Sequence, residues 1–350
     1  MNKLTEWWVN YQALSDKELE EINQHCPHHE RLEDKARWDN GENELRSMTP
    51  MGYTLNNHSL YVEENATSFI NYLFDKYLDD NTLLVTSTVE HDSVRKAVAE
   101  HDRKEKDHVC FQYVNCIDSL NLSPIIEALQ LKSYKRVFVY IIGTQITTGE
   151  WTSQKFYEKL RQYLTSKGLE IVMVIDDVHG LFLVPRDYSN FDYVISTAHA
   201  LIRNWDMGMM WSKTEETYGC KCYNWIEKYN KLLKLMLCKN YKLSCFSQIM
   251  KEEFIEYTQH PFIELIPDSV PHIFSLKIYC NPKHVYTQEV WQNFADNEVR
   301  LETHDYDNSD VFYIRMRGSQ FITFPGMVSN AVELTKKLLN KIIMLKDDNG

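Results

Sequence analysis

The chain has 350 residues, 43% hydrophobic and 25% charged, with only 11 Gly and 9 Pro. That composition excludes a collagenous, linker-dominated or disordered protein and leaves apolar mass for two domains. Fifty acidic residues against 38 basic ones give a net charge of −12, which repels phosphate backbones, so nucleic acid is not an expected partner. No run reaches the ~18 apolar residues of a membrane helix, and the start turns acidic without an apolar signal core. The 8 scattered cysteines suit reduced thiols rather than a disulfide scaffold. A cytoplasmic protein without a membrane partner is expected.

In chain order, residues 1–48 are polar and His-rich and read as an N-terminal arm, with one helix-like stretch from Ser15 to His25. Residues 49–250 read as a large α/β domain. Its short Val- and Ile-rich runs, Leu83 to Val85, Val109 to Val114, Val137 to Ile142, Ile171 to Ile175 and Tyr193 to Ile195, have the length of strands buried on both faces. Between them lie helix-period segments, of which Ser153 to Lys167 is the clearest, with Phe156, Leu160, Tyr163 and Leu164 on one face and Gly168 as its cap. Strand and helix in alternation imply a mainly parallel sheet covered on both faces. The chain is expected to be helical and aromatic from Lys213 to Ile249. Residues 251–350 read as a smaller α+β domain, with strands at Ser275 to Ile278 and Val311 to Met316 and a helix from Val328 to Leu345.

Open α/β sheets bind ligands beyond the carboxyl ends of their strands. The residues that follow the apolar runs are therefore the ones to inspect. They include His91, Thr147, Thr148, Asp176, His179, Ser196 and His199. Singly each has a bland role, since a strand-end Asp often caps a helix and a lone His is often a satisfied structural side chain. Four strand ends that each offer hydroxyl, imidazole or carboxylate groups point to a site. Val174 to His179 looks like an acidic metal-holding strand end, but the chain has no GxxxxGK[ST] and no GxGxxG, which argues against nucleotide and dinucleotide chemistry. The cluster His25-Cys26-Pro27-His28-His29 and the pair Cys220 and Cys222 lack partners at metal-site spacing, and no metal is expected.

These strand-end segments resemble the fold-type I enzymes that use pyridoxal 5'-phosphate (PLP), in particular the class V aminotransferase and cysteine-desulfurase-like branch. The resemblance is good from Tyr61 to Lys213 and weak beyond. Ser87 to Ser93 matches the family segment TxxEHxS, with Ser87 in place of Thr, and gives His91 the role of stacking on the cofactor ring. The family's DxxH segment matches Asp176 to His179, which puts Asp176 against the ring nitrogen and His179 near the ring hydroxyl. A carboxylate there keeps the nitrogen protonated, so that the ring can accept electrons from a bond at the substrate's Cα. The phosphate-binding turn matches Asn65-Ala66-Thr67 before a helical segment, with Asn where the family has Gly. Thr147, Ser196 and His199 complete the cofactor contacts that the resemblance implies, although two residues rather than one separate Ser196 from His199.

The same alignment puts Ala200 where the family carries its Schiff-base lysine. Two readings follow. In the preferred one, Ala200 is a lysine-to-alanine change that leaves an inactive variant of a PLP-dependent transferase or lyase. In the other, the lysine is naturally lost, leaving a pseudoenzyme, a binding protein or an enzyme in which His199 moves the proton. Lys213 is the next lysine along and is better read as a solvated strand-end residue.

For substrate the resemblance implies an amino acid or amine, its carboxylate held by Arg315 or Arg317, which a strand places on one face. Asn297 to Asp310 contains no cysteine, which disfavours desulfuration and leaves transamination, decarboxylation or lyase chemistry at Cα. The resemblance also implies a homodimer.

Overall fold

The computed structural model describes residues 35–87, 89–102, 108–111, 123–198, 207–221, 226–227, 229–231, 233–234, 240–266, 269–285, 287–297, 299–302, 310–318 and 327–347. The Ser15 to His25 segment, the His25 to His29 cluster, Cys222, His199 and Ala200 lie outside them. The described chain forms two compact units: 35–145 with 151–234, and 146–150 with 240–347.

The larger unit is built on seven strands: β1 (Ser59–Glu63), β2 (Thr82–Ser87), β3 (His108–Phe111), β4 (Arg136–Ile142), β5 (Glu170–Asp176), β6 (Tyr193–Thr197) and β7 (Gly208–Ser212). Their order across the sheet is β1-β7-β6-β5-β4-β2-β3. The pairs from β3 through β6 are parallel, whereas β7 runs antiparallel to both β6 and β1. Every residue of β2 and β6 is buried, as is all of β4 after Arg136. Continuous Val, Ile and Leu runs are therefore required rather than an alternating pattern.

Helix α1 (Lys35–Met48) falls in the stretch read as an arm. It is packed into this unit, with Trp38 and Leu45 fully buried and Gly41 against Ile226. Helix α2 (Ala66–Tyr77) starts at Asn65, whose side chain accepts the Ser68 N–H, and ends where Leu78 turns extended. Its Phe69, Ile70, Leu73 and Phe74 join Leu84, Phe138, Tyr140, Val174, Ile195 and Met210 in one core, each fully buried side chain contributing ~1.5–3 kcal/mol of transfer free energy. Helices α3 (Asp92–Asp102) and α4 (Ser123–Leu131) precede α5 (Gln154–Ser166). The last starts on a Ser153 cap and gives way to Gly168 at φ +69°, which bears out the predicted helix and its glycine stop. The stretch expected to be helical from Lys213 to Ile249 is so at its described residues from 226 onward, but not at its start. Residues 213–219 turn, and Cys220 bridges back to Val62 of β1, because a strand edge there still had unpaired amides to satisfy.

In the smaller unit, β8 (Ile263–Leu265), β9 (Ile273–Tyr279), β10 (Val299–Glu302) and β11 (Val311–Arg317) form an antiparallel sheet in the order β10-β11-β9-β8. Helices α6 (Asn240–Phe254), α7 (Gln288–Asp296) and α8 (Met327–Asp347) complete it. Their buried Phe246, Met250, Phe294, Leu339 and Ile342 share a core with Phe274, Leu276, Phe312 and Ile314 of the sheet. Strands β8 and β10 and helix α7 went unread in the sequence because each is short. Among the described residues no helix is long and apolar enough to cross a membrane.

Candidate functional site

Strands β2, β4, β5 and β6 point the same way, so Ser87, Ile142, Asp176 and Thr197 end them at one edge of the sheet. Asp176 is the last residue of β5 and only 3% exposed. Its Oδ2 accepts the Tyr140 hydroxyl at 3.1 Å and its Oδ1 the Val178 N–H at 3.4 Å. Burial pushes its carboxyl up from the ordinary range, and the nearby His91 pulls against that. A buried carboxyl helped by two neutral donors and one imidazole is a place for a cation or an N–H group of a ligand.

Its chain neighbour Asp177 is already matched. The fully buried Arg186 pairs with Asp177 Oδ2 at 3.1 Å, the Tyr188 hydroxyl donates to the same oxygen at 2.7 Å, and Arg186 also donates to the Thr152 and Gly143 carbonyls at 2.8 and 2.9 Å. Gly143 and Gly180 lie so close to the Asp177 carboxylate that a Cβ at either would come within 2.6 or 2.1 Å of Oδ1. One guanidinium thus ties the loops after β4 and β5 together and fixes the turn that presents Asp176.

Glu90 is the second buried carboxyl of this edge, 1% exposed. Its Oε1 accepts the Ser87 hydroxyl and the Ile142 N–H, while Oε2 has no partner among the described residues. Burial, reinforced by Asp176, pushes it up to about 8. His91 is exposed and accepts the Ser93 N–H at Nδ1, 3.3 Å, with the Ser93 hydroxyl at 2.9 Å from the same nitrogen. His179 is buried.

The phosphate candidate, Asn65-Ala66-Thr67, is the first turn of α2, with Asn65 and Thr67 exposed. Gly208, the register partner of Thr197, lies against it, since a Cβ there would meet the Asn65 carbonyl carbon at 2.3 Å. The close approach requires glycine and brings this helix start to the Ser196 edge. Ser196 is fully buried, and its hydroxyl has no partner among the described residues, nor has that of Thr86 on β2. Lys213 sits at the far end. Its N–H bonds the Asp192 carbonyl ahead of β6, and its ammonium donates to Ser189 at 2.6 Å. About five residues of strand, roughly 15 Å, separate it from the Asp176 edge.

The remaining candidates gather in the smaller unit. Arg315, 3% exposed, pairs with Glu302 at 2.6 Å and donates to the Ile146 carbonyl at 3.4 Å, while the Thr147 hydroxyl donates to the other oxygen of Glu302. Thr148 is buried, and Arg317 is half-buried two residues along the same strand. Both of Arg315's neighbours here, Glu302 and Thr147, come from segments for which the sequence suggested no such pairing.

Glu90, Tyr140, Asp177, Arg186 and Tyr188 are the functional-edge residues that the sequence did not single out. Glu90 stood inside the His91 segment, so its position was visible but its burial was not. Arg186 lies in a Pro-Arg-Asp turn with no periodic signal.

No family profile matches the sequence, and no curated protein matches it. Solved structures do resemble it. A NifS-like protein from Rickettsia africae superposes with a TM-score of 0.66 at 11% identity, covering 95% of this chain and 98% of its own. A lysine-to-alanine mutant of C-DES, with glycine covalently linked to its PLP cofactor, gives 0.61 at 14% identity and 95% coverage of both chains. A PLP-bound C-S lyase from Staphylococcus hominis, complexed with L-cycloserine, gives 0.62 at 10% identity, covering 95% of this chain and 85% of its own. At such identities the likeness is one of fold: the chain has the fold-type I architecture, as the strand-end resemblance implied.

Proposed function

We propose that the larger unit binds pyridoxal 5'-phosphate at the Asp176 edge and that the chain belongs functionally with PLP enzymes acting on amino acids, by transamination, decarboxylation or a lyase reaction at Cα. The observation that carries this is Asp176, a buried strand-end carboxyl whose hydrogen-bond partners among the described residues are neutral donors, with no ion pair to a cation among them. The residues fit the cofactor. Asp176 would hold the ring nitrogen, His91 the ring face and His179 the ring hydroxyl. The first turn of α2, Asn65 to Thr67, with Ser196 and His199, would hold the phosphate. The bound cofactor would supply an electron sink for a substrate carbanion. The chain's own part is to orient it, and to favour the ionised form of Asp176 through the Tyr140 and Val178 hydrogen bonds.

The PLP-bound C-S lyase and the glycine-linked C-DES mutant share this fold, which supports the lyase arm of the proposal. Ala200 offers no amine, and Lys213 stands at the opposite end of the sheet, so the chain as it stands would hold the cofactor without a covalent bond to lysine and turn over poorly.

Absorbance spectra test the proposal. The chain and its Ala200→Lys variant are each mixed with PLP, desalted and exposed to a panel of amino acids. Ala200→Lys is expected to keep a yellow chromophore through desalting, and Ala200→Lys with Asp176→Asn to lose or shift it. Retention of cofactor by none of these proteins would overturn the proposal.

A further inference from the structure

The edge carries two buried carboxyl groups, and the cofactor reading uses only one. Glu90 is in the loop that leaves β2, and its Oε1 accepts the N–H of Ile142 at 3.0 Å. Ile142 is the register partner of Asp176, so the two acids reach neighbouring positions from opposite sides of β4. Each is at most 3% exposed. Two carboxylates so placed do not both ionise at modest cost, and one of them keeps a proton.

The hydrogen bonds decide which. Asp176 accepts on both oxygens, from Tyr140 and Val178, and the nearby His91 favours its charged form. Among the described residues Glu90 accepts on Oε1 alone, from Ser87 and Ile142, and its Oε2 has no partner. A bare buried oxygen is costly for a carboxylate and natural for a protonated acid, whose O–H then awaits an acceptor.

We propose that Glu90 is a positioning residue of the site that acts as an uncharged hydrogen-bond donor through Oε2, leaving Asp176 as the one anion to meet a heteroaromatic ring cation. The groups that face Glu90 agree with this assignment. Asp176 is like-charged, Tyr140 of β4 and Tyr157 of α5 are both held protonated by burial, and the His91 imidazole is exposed with its Nδ1 on Ser93. The inference rests on the proposed cofactor site only for its ligand arm.

The first measurement is carboxyl ¹³C NMR of the full chain labelled at glutamate, with the Glu90 signal assigned by its loss in Glu90→Gln. Glu90 is expected to titrate at about 8, and lower in Asp176→Asn, where the repelling carboxylate is gone. Titration in the ordinary carboxylate range, or no response to Asp176→Asn, overturns the proposal. Thermal unfolding gives a second readout. The folded state keeps a proton that the unfolded chain releases above its ordinary value of 4.5, so Glu90 is expected to lower stability progressively from pH 4.5 to about 8. Glu90→Gln should flatten that slope, and an unchanged slope counts against the proposal.

The ligand arm follows quenching of tryptophan fluorescence by PLP. At pH 7, Glu90→Gln should bind within about threefold of the unmodified chain and Glu90→Ala about tenfold more weakly. Raising the pH through 8 should weaken binding to the unmodified chain and not to Glu90→Gln. A Gln variant as poor as the Ala variant would mean that the charge is needed and the assignment wrong. Failure of the unmodified chain to bind PLP would sink the cofactor reading alone, because the titration decides Glu90 in the unliganded protein.

Discussion

The two ends of the larger unit's sheet are both buried and both polar, yet they are built in opposite ways. At the end where β6 begins, the Glu216 carboxylate is surrounded by donors. Tyr72 and Lys76 reach Oε2 at 2.5 and 2.6 Å, and Tyr193, Thr214 and Ser212 reach Oε1 at 2.8, 2.5 and 3.1 Å. The Lys76 ammonium also lies 5.1–5.7 Å from the rings of Tyr72, Tyr77 and Tyr193. At the Asp176 end, Thr86 Oγ1, Glu90 Oε2 and Ser196 Oγ are buried without partners among the described residues. A folded protein pays for unmatched buried polar atoms unless something else occupies them. The saturated Glu216 cluster is architecture, and the unpartnered polar edge around Asp176 is where a ligand belongs.

The largest expected effect comes from the one saturated cluster at the ligand end. Arg186→Met would leave Asp177 as a buried carboxylate with only hydroxyl donors. Loss of one partner from such a pair costs ~3–5 kcal/mol, and urea denaturation should show it. A loss below about 1 kcal/mol would mean that the clamp is not closed in solution. Glu216→Gln should cost less, about 1–3 kcal/mol, because five donors then face a neutral amide. That change should leave PLP affinity untouched, and an affinity loss would erase the distinction between the two ends.

What the sequence could and could not disclose follows the same division. The strands Val137 to Ile142 and Ile171 to Ile175 were legible because a buried parallel strand must be apolar throughout, and Ser153 to Gly168 because cap, period and stop agree. Asp176 was legible from its place at a strand end. Its neighbour's role was not, because the Asp177 and Arg186 pair forms across a turn with no repeating pattern, and a buried arginine looks like a surface one until its carbonyl partners are seen. Arg315 shows the reverse. Strand phase put it with Arg317, but only the fold shows that Glu302 and the Ile146 carbonyl already engage it.

Ser196→Ala is the smallest expected effect on stability and the finest test of the contrast. A buried serine that makes hydrogen bonds costs ~1 kcal/mol or more to truncate, but the Ser196 hydroxyl has no partner to lose among the described residues. Removing it should therefore leave the urea midpoint within ~0.5 kcal/mol of the parent, or raise it. PLP affinity should fall several-fold over the same substitution, because this buried strand-end hydroxyl, unpartnered among the described residues, would serve the phosphate in the proposed site. Stability lost with affinity intact would make Ser196 a structural hydroxyl and move the phosphate contact elsewhere. Affinity lost with stability intact would separate what holds the sheet together from what it holds.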